Sequence, residues 1–140
     1  MTAASLSAST NAGGPRLAFE DLVLGQRASL SRAIAGGDLP PRPAGGRPSF
    51  GQPVACGFAT LSLVAEVVGT RLPGPGAVFL SQTSQFLAPV QAGDIVEASV
   101  EVVELVPARG RARLFFECAC DGRPVLEGEA WVALEHRPRA

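Results

Sequence analysis

Lysine and tyrosine are missing from this chain, and histidine, methionine and tryptophan each occur once. All 12 basic residues are therefore arginine, against 13 acids, for a formal net charge of −1. The arginines are scattered, which leaves no electrostatic footprint for nucleic acid. Nor is there a basic amphipathic helix to lie on a membrane surface. The longest uncharged apolar stretch, Val54 to Ala65, falls short of the about 20 residues that cross a bilayer. Residues 1–15 lack both the basic start and the apolar core of a signal peptide. Three cysteines are an odd number, so they do not make a disulfide framework. Cys118 and Cys120 stand two apart on an expected strand, and the lone His136 sits near the chain end. That set does not make a zinc site, and no metal or cofactor is expected. A reduced, cytoplasmic protein is the expectation.

What the chain does have is a 46% hydrophobic composition over 140 residues, enough for one domain with a buried core. Residues 1–15, rich in Ala, Ser, Thr and Gly, are expected to be a disordered tail, and 16–140 a single domain. Gln26 to Ile34 alternates weakly with period two and predicts a strand. Residues 35–49 hold four glycines and four prolines, a density of breakers that predicts a loop. Pro53 suits the first turn of a helix, and VACGFATLSLVAEVVGTRL continues it to Leu72. A helix so apolar on most sides must be wrapped by other structure. Gly69 and Pro73-Gly74-Pro75-Gly76 end it.

The segment Phe86-Leu87-Ala88-Pro89-Val90-Gln91-Ala92-Gly93-Asp94 then joins two strand-like runs, 77–87 and 95–106. In the second, Val96, Ala98, Val100 and Val102 alternate with polar residues, one face to the core and one to water. Ala108-Arg109-Gly110 turns the chain into a strand at 111–120. Asp121-Gly122 is a hairpin signal, and 125–134 closes the sheet. Three successive short connections predict an antiparallel meander. One buried helix and one antiparallel sheet predict an α+β fold with the sheet curled around the helix, the hot-dog architecture. Its exposed edges predict edge-to-edge pairing of two copies.

Four blocks carry a resemblance: FEDLVLGQ (19–26), FGQPVACGF (50–58), LPGPGAVFLSQTSQFLAPVQAGD (72–94) and GRPVLEGEAWV (122–132). Together they resemble the MaoC-like hydratases and dehydratases, hot-dog proteins that add or remove water across the α,β double bond of acyl thioesters. The resemblance implies an acyl-CoA or acyl-carrier-protein thioester as ligand, no cofactor, and a homodimer or a heterodimer with a related hot-dog subunit. The family's catalytic run is Gly-Asp-x-Asn-Pro-x-His, whose Asp and His act as acid and base. Gly37-Asp38-Leu39-Pro40-Pro41-Arg42-Pro43 is the match here. Asp38 falls on the catalytic aspartate and Pro41 on the proline, while Pro40 replaces Asn and Pro43 replaces His. The segment is also too short for the family's overhanging helix, and a second family His is Cys56 here. Own catalysis is thereby put in question.

Two requirements of enoyl-thioester hydration can be held against these residues. Enolate charge is stabilised by N–H donors at a helix start, and Cys56, Gly57 and Phe58 are the candidate substrate-binding residues there. Gly57 equally suits close packing of helix on sheet. Proton movement needs a positioned acid/base, worth ~10²–10⁴-fold, and Asp38 is the candidate, with a plain turn-forming Asp as the alternative. Cys56 as a nucleophile competes with Cys as a small hydrophobe. His136 is expected to be a solvated tail residue, and Glu66 to snorkel or to pair with Arg71. The polar run Ser81 to Gln85 fits either an acyl or pantetheine contact or an edge strand pairing across a dimer. Three functions stay open: a hydratase/dehydratase, a non-catalytic acyl-binding subunit of a hetero-oligomer, and a hot-dog thioesterase.

Overall fold

The computed structural model describes residues 17–34 and 57–138. The tail at 1–15, the Gly/Pro segment at 35–49 and the expected helical start at 53–56 lie outside these. After a 3-10 turn at Phe19–Asp21 come β1 (Arg27–Ala33), α1 (Gly57–Thr70), β2 (Val78–Phe86), β3 (Ile95–Val106), β4 (Arg111–Cys120) and β5 (Arg123–Ala133). A second 3-10 turn, Pro107–Arg109, links β3 to β4. The expected α+β hot-dog content is present: among the described residues there are one five-stranded antiparallel sheet and one α-helix.

Strand order departs from a full meander. The sheet runs β1-β3-β4-β5-β2, so only β3, β4 and β5 form successive hairpins. The Phe86-to-Asp94 connection carries the chain from one edge across the sheet end to β3. Three strand spacings of about 4.8 Å make roughly 14 Å, well within the reach of a chain at ~3.3 Å per residue over residues 87–94. Both ends of the crossing are pinned by the ladders they leave and enter. Leu87 N–H donates to the Val125 carbonyl at 2.9 Å, and Ile34 N–H to the Asp94 carbonyl at 2.8 Å. Between them, the Asp94 carboxylate accepts from Gln91 N–H at 2.9 Å, and Gly93 supplies the positive φ (+92°) the turn needs. A short connection therefore did not imply neighbouring strands.

Alternation along the central strands decides which face is core. Val96, Ala98, Val100 and Val102 of β3 and Ala112, Leu114, Phe116, Cys118 and Cys120 of β4 are buried. Onto that face α1 lays Thr60, Leu63, Val64, Val67 and Val68. Its main packing is against β3, with β1 and β4 beside it. The helix is not enclosed all round: Ser62, Ala65 and Gly69 form an exposed stripe. These residues are small, so their exposure leaves little apolar surface in water, which is why a helix apolar by composition tolerates a wet side.

Gly128 sets the curl at the other half of the sheet. A Cβ there would lie 2.1 Å from the Thr83 carbonyl oxygen and 2.7 Å from the Phe116 ring. The β2 backbone and an aromatic side chain thus occupy the space a side chain would need. The opposed pairs Phe116–Gly128 and Ser84–Gly128 place this close approach where β4, β5 and β2 meet.

Candidate functional site

The first turn of α1 is Gly57-Phe58-Ala59-Thr60. Aligned peptide dipoles give this end of the helix positive potential. No acidic residue stands in the turn to quench it. Thr60 is buried, and its carbonyl accepts a weak contact from the Cys118 thiol at 3.9 Å. The helix start therefore sits over the C-terminal end of β4. Burial first, and the nearby Glu117 charge second, push the Cys118 thiol up to about 12. It is an inert thiol that packs, not a nucleophile.

Of the predicted site residues, Gly57 and Phe58 open α1, with their side chains outside the described part. Asp38, Pro40, Pro41, Pro43 and Cys56 lie outside the described residues altogether.

Two side chains weighed as acids or bases have structural partners instead. Glu66 pairs with Arg32 of β1 at 2.6 Å, not with Arg71, whose guanidinium donates to the Ser29 carbonyl at 3.0 Å. Both bonds tie α1 to β1, and the helix turn carries Glu66 toward β1 rather than along its own axis. His136 is not a loose tail residue either. Its Nδ1 lies 2.7 Å from the Glu20 carboxylate, and its ring meets Phe19 at 5.1 Å. The C-terminal segment runs back along the first 3-10 turn, where Phe19 N–H donates to the Glu135 carbonyl at 2.9 Å. Arg137 N–H donates to Glu20 at 2.7 Å, and the Arg137 side chain pairs with Asp21. Chiefly the Arg137 backbone donor, then His136, hold the Glu20 carboxyl down at about 2.

The polar run Ser81 to Gln85 lies in β2, the edge strand beyond β5. Register puts Ser81, Thr83 and Gln85 opposite Trp131, Glu129 and Glu127, and Gln82 and Ser84 opposite Ala130 and Gly128. Since Ala130 is buried, Gln82 and Ser84 belong to the core-side face and the other three to the outer face. Both faces of β2 are largely exposed, and apolar Val78 (57%) and Phe86 (53%) are open to water. No helix among the described residues is long and apolar enough to cross a membrane.

The profile of the MaoC-like domain matches residues 42–113. A 3-hydroxybutyryl-CoA dehydratase of Methylorubrum extorquens is 52% identical over 94 residues, 67% of this chain. The chain spans 60% of that relative's length. An (R)-specific enoyl-CoA hydratase of Rhodospirillum rubrum is 37% identical across 85% of this chain and 92% of its own length. Among solved structures, an R-hydratase of Pseudomonas aeruginosa superposes with a TM-score of 0.76 at 28% identity, covering 87% of this chain and 88% of that one.

Proposed function

The chain belongs to the MaoC-like dehydratase family, and from that premise we propose that it binds acyl-CoA thioesters with the carbonyl oxygen against the N–H groups of Gly57 and Phe58. The observation that carries this is the first turn of α1, without an acid and seated over the end of β4. In the hydration direction, Asp38 takes a proton from water as its oxygen bonds to the β-carbon. The electron pair of the double bond moves to the thioester oxygen, where the helix-end donors hold the charge. Asp38 then returns the proton to the α-carbon. A second acid/base partner is lacking at Pro43, so turnover by the chain alone is expected well below that of a complete Asp/His pair, by a factor within the ~10²–10⁴ such a group supplies.

Hydration of crotonyl-CoA, followed as loss of the enoyl absorbance, tests the reading. Slow turnover that vanishes in Asp38→Asn supports it. Absence of both turnover and thioester binding at high protein concentration rejects it.

A second reading is favoured by Pro40 and Pro43 in the positions of Asn and His: a subunit that shapes the acyl site for a catalytic partner. The β2 edge, with Val78 and Phe86 in water, is the surface on which a second copy or a related hot-dog subunit would pair. Recovery from the native cell with a related subunit supports this reading, and recovery only as a homo-oligomer counts against it. The cytoplasm is the proposed location.

A further inference from the structure

We propose that the outer face of the sheet carries a second binding site, for a phosphorylated nucleoside, in the groove between Trp131 and the Arg109-Gly110-Arg111 turn. The groove holds about 440 Å³ and is lined by Leu80, Ser81, Val106, Arg109, Arg111 and Trp131. That volume lies in the range of small-molecule sites.

Its lining divides by chemistry. The half-buried indole of Trp131 stands opposite Ser81 on β2 and Arg113 on β4, with Leu80 and Val106 as apolar walls. A flat, electron-rich ring between apolar walls suits stacking of a base. The two arginines supply the opposite end. Beside the groove Arg113 is neutralised: it donates to Glu104 at 2.8 Å and to Glu129 at 2.6 Å. Arg109 and Arg111 make no ion pair among the described residues. Guanidinium groups free of carboxylates are forks suited to phosphate oxygens.

The turn that presents them is fixed. Gly110 is left-handed (φ +63°), and a Cβ there would come within 2.7 Å of the Leu134 carbonyl oxygen. Gly110 N–H donates to the Pro107 carbonyl at 3.2 Å, and Leu134 N–H to the Gly110 carbonyl at 2.9 Å. Backbone bonds on both sides thereby fix the turn from which the two arginines extend, which lowers the ordering cost of binding.

This site is separate from the helix start. Arg111 and Cys118 lie seven positions apart on one strand, about 23 Å at ~3.3 Å per residue, and the groove opens on the opposite face of the sheet. It therefore stands whether or not the chain hydrates thioesters.

Trp131 is the sole tryptophan, so its fluorescence reads this groove directly. Titration with adenosine 3′,5′-bisphosphate is expected to quench it saturably. AMP should bind more weakly, inorganic phosphate alone at least tenfold more weakly, and added salt should weaken all three. Calorimetry on Arg109→Gln/Arg111→Gln should show at least a tenfold loss, and on Trp131→Phe a smaller one, with both variants folded by circular dichroism. No saturable quenching, equal affinity in the arginine variant, or phosphate binding as tightly as the nucleotide would each overturn the proposal. Crotonyl-CoA turnover is unaffected by any of these outcomes, so this site and the thioester reading fail separately.

Discussion

The two halves of the sheet obey the same alternation and end in opposite states. Along β4 and from Val96 to Val102 of β3 every second side chain is buried, and Val96, Val102, Leu114 and Phe116 have no contact with water. In β2 both faces are open, and Val78, Leu80 and Phe86 are exposed. The difference follows from where one helix can sit: α1 packs mainly on β3, with β1 and β4 beside it. The β2 end of the sheet is left for something else. One half is finished by the chain itself, the other has an edge suited to a partner.

Substitutions should separate the halves by size of effect. Phe116→Ala empties a fully buried site and is expected to cost about 3–5 kcal/mol in urea unfolding. Gly128→Ala acts on the joint between halves. Its Cβ would meet the Thr83 carbonyl oxygen at 2.1 Å, and such overpacking costs about 1–3 kcal/mol. Faster amide exchange should appear in β2 and leave β3 unchanged. Exchange accelerating equally in both strands would erase the distinction drawn here. Leu80→Lys with Phe86→Lys should change monomer stability by less than about 1 kcal/mol, as surface changes do. By light scattering the parent chain is expected to be a dimer and this variant a monomer.

The smallest effect concerns the clasp between the first 3-10 turn and the C-terminal segment. The Glu20 carboxyl is lowered from 4.5 to about 2, so the folded state favours its charged form. Its contribution is complete above about pH 4.5 and is lost as pH falls toward 2. Amide exchange at Arg137 should quicken over that window, and Glu20→Gln should reduce the pH dependence to the part that Asp21, also lowered by its Ala18 and Arg137 bonds, supplies.

Much of the architecture was legible in the sequence because period-two alternation survives wherever one face is buried. The observed bounds of β3 and β4, Ile95–Val106 and Arg111–Cys120, are those that Val96 to Val102 and the Arg109-Gly110 and Asp121-Gly122 turns predict. Strand neighbours were less legible. A corner such as Pro89 to Asp94 records the turn and not the strand it leads to, and only the Leu87–Val125 and Ile34–Asp94 bonds reveal a crossing. Partners of charged side chains were hidden for a similar reason. Glu66 and Arg32 lie 34 positions apart, and Glu20 and His136 lie 116 apart, so nothing local marks them. Gly128 had one readable signal, a lone glycine inside a strand pattern, which marks close backbone approach. Of the site, the sequence marked the helix-start glycine and the altered Asp38-to-Pro43 run. The first stands at the start of α1, and the second lies outside the described residues.

Titration of the isotope-labelled protein with butyryl-CoA, a saturated thioester that cannot be hydrated, bears most directly on the thioester site. Amide shifts are expected to be largest at Gly57 and Phe58 and to saturate. Saturable binding that leaves both amides unmoved would contradict a thioester held at the start of α1.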